Sequence, residues 1–173
     1  MLGIERRVGQ MLVESGNISE EQLMKAIMTS ERKGYRLRDV LYEENLASPY
    51  AWLTALTFIA RVPFIDLAVW PIPETEALYT IPKYVALRLK ALPLLTGKDY
   101  VRVVMDDPTV PDVIAELEMH ASRKIRPAIS YVQDLSTAIR HAYNGRWKEY
   151  KWRLIFEDPY TIHKTDSTSF GRN

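Results

Sequence analysis

Residues 7–30 read RVGQMLVESGNISEEQLMKAIMTS, and residues 36–59 read RLRDVLYEENLASPYAWLTALTFI. The two segments share one pattern: a leading arginine (Arg7 or Arg36), an aliphatic residue, an apolar pair, a turn former, a serine, and two large apolar residues four apart. Only five residues, ERKGY, separate the copies. Such a repeat indicates a duplicated structural unit. Two units that each begin with an arginine suit a ligand made of two identical halves.

Each copy of the pattern predicts two helices. Apolar residues recur at helical spacing, and Gly16 and Asn45 provide the left-handed conformation that ends a helix. Ser19 and Ser48 stand where the second helix of each copy needs an N-cap. We therefore expect residues 1–60 to form a four-helix subdomain.

The signal changes after the repeat, and residues 61–145 are predicted to form a small α/β subdomain. The expected elements are a strand at 64–67, a helix at 82–89, a hairpin of 92–95 and 100–105, a helix at 110–119, a strand at 125–129 and a helix at 132–143. Strands and helices in this order form an α+β fold. Residues 146–173 are expected to be a C-terminal extension. Its basic, aromatic start is expected to pack on this domain or on a neighbouring module, and the alternative is an RNA or membrane-surface patch. The polar last residues indicate a natural C-terminus.

Composition excludes several classes of protein. An apolar fraction of 47% provides a real core, and a net charge of +1 gives no overall attraction to nucleic acid. The absence of cysteine excludes thiolate metal sites, disulfides and cysteine nucleophiles. No apolar run approaches the roughly 18 residues of a membrane helix, and no catalytic motif or metal cluster has usable spacing. We expect a cytoplasmic, non-catalytic protein without a metal, a cofactor or a nucleic-acid partner.

The paired pattern resembles that of the MshEN domain. This is the N-terminal domain of type II secretion and type IV pilus assembly ATPases, and it also occurs on bacterial membrane glycosyltransferases. Later stretches are similar to the second half of the family, namely RVPFIDL at 61–67, Ile81-Pro82, LPL at 92–94 and VMDDP at 104–108. The resemblance covers roughly residues 4 to 144. It implies a helical subdomain before an α/β subdomain, and binding of cyclic di-GMP, with one motif gripping each GMP half.

Carried over by position, the resemblance implies two half-sites and two acidic residues near the guanine edges. The first half-site is Arg7, Val8, Gly9, Leu23, Ile27 and Ser30, the second is Arg36, Leu37, Trp52 and Leu56, and the acidic residues are Asp39 and Asp107. An arginine stacks on a purine or donates two hydrogen bonds to guanine. A glycine lets backbone approach the ligand closely. The apolar pairs at helical spacing are more often core, and an aspartate before a proline is more often a plain turn.

The second motif departs from the family pattern. Arg38 replaces a glycine, Ala47 an isoleucine, Trp52 a leucine and Ile59 a glutamine, while the first motif has Ser30 in place of its glutamine. Trp52 either stacks on a base or substitutes for the leucine in the core. The sequence thus predicts a cyclic di-GMP-binding module that controls a larger effector, either a membrane glycosyltransferase or a secretion or pilus ATPase. The alternative is a protein-docking domain of the same fold that binds no nucleotide.

Overall fold

The computed structural model describes residues 2–130 and 135–156. These residues form two compact units, and the boundary in the sequence lies between Phe64 and Ile65. The first unit is helical, and the second contains helices and a three-stranded sheet. The predicted α+β class, with its helical N-terminal part, is confirmed. Within the described ranges, no helix has the length and apolar character needed to cross a membrane.

The first unit contains the four helices that the repeat predicts. They are α1 (Leu2–Glu14), α2 (Glu20–Lys33), α3 (Leu37–Glu43) and α4 (Pro49–Ala60). Helix α1 packs against α2, α3 and α4, and α2 packs against α3. The side chains buried between them recur at helical spacing on each helix, which is the pattern of an amphipathic bundle.

The turn formers and caps of the repeat act as expected. Gly16 and Asn45 have φ angles of 72° and 53°, so both helix ends use the left-handed conformation. The Ser19 hydroxyl accepts a hydrogen bond from the Gln22 N–H at 3.1 Å, and the Gln22 side chain accepts one from the Ser19 N–H at 2.7 Å. Ser48 caps α4 in the same way without the reciprocal bond. Local sequence therefore determines where these helices begin and end.

The second unit contains a sheet in the order β1-β2-β3, with β1 antiparallel and β3 parallel to β2. Its elements are α5 (Thr75–Thr80), α6 (Lys83–Leu89), β1 (Ala91–Thr96), β2 (Tyr100–Met105), α7 (Pro111–Ala121), β3 (Lys124–Ala128), α8 (Leu135–Tyr143) and α9 (Trp147–Phe156). Helices α5, α6 and α8 pack on β1, and α7 packs on β3. The predicted hairpin is confirmed, and the predicted helices that begin near residues 82 and 110 are present.

One expectation for the second unit is wrong, and one helix was not predicted. The strand expected at 64–67 does not form; Ile65 donates one backbone hydrogen bond to the Ile129 carbonyl at 2.8 Å. The chain then turns, because the Asp66 carboxylate accepts from the Ala68 N–H at 2.9 Å. The short helix α5, which follows the proline-rich stretch, was not predicted from the sequence.

Buried groups outside the sheet complete the second unit. Trp147 and Tyr150 of α9 belong to its hydrophobic core, so the start of the basic, aromatic stretch packs on this unit. The Tyr143 hydroxyl donates to the Ile81 carbonyl at 2.7 Å. Burial raises the pKa of Tyr143 well above its usual value of 10.0, because the charged phenolate is disfavoured away from water. The residues at 131–134, where the predicted helix at 132–143 begins, lie outside the described residues.

Candidate functional site

The predicted ligand residues of the first unit fall into an accessible group and a buried group. Arg7 is exposed, and Ile27, Arg36 and Asp39 are half-buried. The remaining predicted residues are buried: Val8, Gly9, Leu23, Ser30, Leu37, Trp52 and Leu56. Among the predicted residues of this unit, the polar side chains that a ligand could reach are therefore those of the accessible group.

Arg7 lies in the middle of α1 with its side chain in solvent. Among the residues that the structure describes, its guanidinium takes part in no hydrogen bond or ion pair. Its neighbour Arg6 is paired instead, with the Glu31 carboxylate at 2.7 Å. Arg7 is thus a cation that an incoming ligand meets without breaking an existing contact to the described part of the chain.

Arg36 has a different environment, although it leads the second copy of the same motif. It is the N-cap of α3, and its Nε donates to a Glu5 carboxylate oxygen at 3.1 Å. The other carboxylate oxygen of Glu5 accepts from the Leu37 backbone N–H at 3.0 Å. Glu5 is only 6% exposed, whereas the Arg36 side chain keeps 30% of its surface accessible. The start of α3, a place that favours phosphate, therefore already holds a carboxylate.

The contact of Glu5 with Arg36 was not predicted from the repeat. The position in the second copy that corresponds to Glu5 is Gly34, so self-similarity gives no signal there. A different signal was present: Glu5 shares a helical face with Val8 and Leu12, both buried. A carboxylate on the apolar face of a helix needs a buried partner, because an unpaired buried charge is strongly unfavourable. That partner is the arginine of the second motif.

Gly9 allows α1 to approach its neighbouring helices closely. A Cβ atom added at this glycine would lie 2.5 Å from Leu23 Cδ1 and 3.5 Å from Leu37 Cδ2. The close approach at Gly9 is therefore to side chains of α2 and α3. The glycine joins the two motifs by packing, and in this way it supports the positions of Arg7 and Arg36.

Ser30 and Trp52 are also committed to internal contacts. The Ser30 hydroxyl donates to the Tyr35 carbonyl at 2.6 Å, which holds the end of α2 to the following chain. Trp52 is 2% exposed and Leu56 is 5% exposed. An indole at that level of burial offers no open face to a purine ring, so its position favours the core interpretation over base stacking.

The two acidic residues lie in different units. Asp39 is half-buried on α3 in the first unit and accepts from the Arg38 Nε at 3.3 Å. Asp107 follows β2 in the second unit, where its carboxylate accepts from the Thr109 N–H at 2.9 Å and from the Thr109 hydroxyl at 2.6 Å. Asp107 thus shapes the turn that its position before a proline predicts. Among the described residues, no three acidic or histidine side chains are grouped in a way that would hold a metal ion.

Sequence comparison connects this geometry to known proteins. The model of the MshEN domain family matches residues 60–147, slightly more than half of the chain. Bacteriophage adsorption protein B of Escherichia coli K12 is 31% identical over 141 residues, which are 82% of this chain and 19% of that protein. Because that alignment is longer than the second unit, it includes part of the first. The type IV pilus assembly ATPase PilB of Thermus thermophilus is 27% identical over 79% of this chain and 15% of its own length.

Structural comparison gives the same answer. The structure of MshE with cdg, an abbreviation of cyclic di-GMP, has a TM-score of 0.68 and 27% identity, and the match covers 83% of this chain and 98% of that one. The N-terminal domain of XpsE has the same fold, with a TM-score of 0.64 and 15% identity over 79% of this chain and 94% of its own. With the family model matching more than half of its residues, this chain belongs to the MshEN domain family.

Proposed function

We propose that this chain is a cyclic di-GMP-binding regulatory module that controls a larger effector protein. The observation that carries the proposal is the similarity to the structure of MshE with cdg, in which the match covers 98% of the solved chain. MshEN domains are regulatory, and this one is not an enzyme. Its contribution to chemistry is therefore to bind the messenger and to report that binding to the rest of a protein.

The accessible residues of the first unit supply the contacts that such a ligand needs. Cyclic di-GMP has two guanines and two phosphates, and arginine recognises both groups through stacking or paired donors. Arg7 is exposed and Arg36 is partly accessible. Asp39 provides a carboxylate, which accepts hydrogen bonds from the N–H groups of a guanine edge. These three side chains, together with Ile27, make up our proposed binding set on the first unit.

The effector is proposed from the size of the relatives. The chain spans about a fifth of the length of bacteriophage adsorption protein B, the first curated relative, and still less of the pilus ATPase PilB. A module that occupies so small a share of its relatives is suited to control the remainder. We propose that the effector is a membrane glycosyltransferase or a secretion or pilus ATPase, and that the module lies on the cytoplasmic side.

Isothermal titration calorimetry with cyclic di-GMP tests the proposal. We expect one ligand per chain, because the two motifs share one symmetric ligand. Cyclic di-AMP is the matched control, since it keeps the phosphates and the ring but replaces the guanine edge that arginine and aspartate recognise. Absence of heat at high micromolar cyclic di-GMP, or a stoichiometry of two, would contradict the proposal.

The surface of α2 favours a second candidate function, protein docking without a nucleotide. Met24 and Met28 lie one helical turn apart and are 55% and 65% exposed. Exposed methionines adapt to varied apolar partners. In this alternative the Glu5–Arg36 pair is purely structural. Capture of the effector that depends on these methionines, by a chain that gives no heat with cyclic di-GMP, would support docking in place of nucleotide binding.

A further inference from the structure

We propose that Glu5 is a positioning residue of the cyclic di-GMP site, which acts by holding Arg36 ready for the ligand. The inference rests on the proposed function and concerns a residue outside the repeated pattern. Its basis is a carboxylate that is 6% exposed and uses both oxygens on the first residues of the second motif.

The geometry gives Glu5 two simultaneous contacts. One oxygen lies 3.1 Å from the Arg36 Nε, and the other lies 3.0 Å from the backbone nitrogen of Leu37. Because Leu37 is the first residue of α3, the carboxylate fixes both the arginine side chain and the start of its helix. A buried carboxylate held in this way remains in place when an anion approaches, since leaving its partners would strand a buried charge.

The position of Glu5 on α1 connects the two motifs. Glu5 and Arg7 are two residues apart, which turns their side chains about 200° from each other around the helix. The same helix therefore exposes Arg7 to solvent on one side and binds Arg36 through Glu5 on the other. A ligand that meets an ordered arginine avoids the entropic cost of immobilising that side chain.

The substitution Glu5→Gln tests this role. Glutamine keeps the length of the side chain and one oxygen but removes the charge that holds the guanidinium. We expect the affinity for cyclic di-GMP, measured by calorimetry, to fall by about two- to tenfold, the range set by ordering one long side chain. Glu31→Gln is the matched control, because it breaks an exposed ion pair with Arg6 on the same unit and should leave the affinity unchanged.

A double-mutant cycle with Arg36→Ala separates positioning from general structural support. If Glu5 acts through Arg36, Glu5→Gln has no further effect on affinity once the arginine is absent. If Glu5 only supports the fold, the loss of affinity appears in both backgrounds, and the proposal is overturned. Glu5→Asp, which keeps the charge but shortens the reach by one methylene, replaces Glu5→Gln in the cycle if circular dichroism shows that the glutamine variant is unfolded.

The wild-type titration distinguishes failure of the proposed function from failure of the positioning role of Glu5. A wild-type chain that binds no cyclic di-GMP refutes the proposed function, and the role of Glu5 in binding with it. A wild-type chain that binds, together with a Glu5→Gln variant that binds equally well or more tightly, refutes only the positioning role. The expected result is wild-type binding, weaker binding by Glu5→Gln, and no difference between Arg36→Ala and the double variant.

Discussion

Replacing each motif arginine by alanine should have unequal consequences for binding and for stability. Arg7 is exposed, and among the described residues it has no ion pair, so Arg7→Ala removes a contact to the ligand and little else. Arg36→Ala also removes the partner of a carboxylate that is 6% exposed. Because Glu5 already holds the Arg36 Nε, Arg7→Ala should cost more affinity and Arg36→Ala should cost more stability.

The structure sets the magnitudes. A stacked or bidentate arginine is worth about 1–3 kcal/mol, so Arg7→Ala should weaken binding by roughly 5- to 150-fold. A hydrogen bond to a charged group is worth about 1.5–3 kcal/mol. The lower part of that range applies to Arg36→Ala, because the arginine side chain is 30% exposed and Glu5 keeps its bond to the Leu37 N–H. For a chain of this length each kcal/mol lowers the Tm by about 2–4 °C, so we expect a fall of about 3–6 °C for Arg36→Ala.

Two measurements on the same samples test the unequal effects of the two substitutions. Calorimetry with cyclic di-GMP gives the affinity of each variant, and differential scanning calorimetry without ligand gives its Tm. An Arg36→Ala variant with the wild-type Tm would show that the Glu5 pair does not stabilise the first unit. An Arg36→Ala variant that loses more affinity than Arg7→Ala would refute the unequal roles of the two arginines.

Three further substitutions, one of them with a matched control, test the internal contacts of the two units. Gly9→Ala should destabilise the chain to urea by about 1–3 kcal/mol, because its Cβ would lie 2.5 Å from Leu23 Cδ1; Gly3→Ala on the same helix has nothing within 4 Å and should be neutral or stabilising by up to about 1 kcal/mol. Trp52→Leu should lose more than about 1.5 kcal/mol in urea unfolding while calorimetry shows an unchanged affinity, and a several-fold loss of affinity would revive the stacking interpretation. Tyr143→Phe should flatten the fall in stability at alkaline pH. Since the folded pKa of Tyr143 is raised, its contribution is complete below about pH 10 and declines above it, and an unaltered pH profile in the variant would contradict this.

The sequence predicts those parts of the fold that local chemistry determines. Helix ends follow Gly16 and Asn45, and helix starts follow Ser19 and Ser48, because each residue satisfies or terminates backbone hydrogen bonds in its own turn. The hairpin of the second unit is predicted for the same reason. Such signals depend only on neighbouring residues, so they can be recognised in the sequence before any tertiary contact is known.

The errors arise where longer-range contacts or a weak local signal decide the structure. Residues 64–67 are a short, mostly apolar segment bounded by prolines, which is typical of a strand, but the Asp66 carboxylate accepts from the Ala68 N–H and turns the chain. Helix α5 has six residues and no side-chain cap, and it follows a proline-rich segment that reads as a loop. The predicted site contains a similar ambiguity. Large apolar residues at helical spacing fit both a core and a ligand surface, and the burial of Trp52 and Leu56 places them in the core.

The unequal arginines show what an internal repeat does and does not predict. The two copies share one pattern, yet α1 begins five residues before Arg7, whereas α3 begins one residue after Arg36. The additional turn of α1 carries Glu5, and this carboxylate occupies the start of α3 and the Nε of Arg36. Duplication therefore preserves the residue but not its neighbours. A symmetric ligand bound to this unit would meet one arginine in solvent and another held by a buried carboxylate, so the two halves of such a ligand would contribute unequally to the binding free energy.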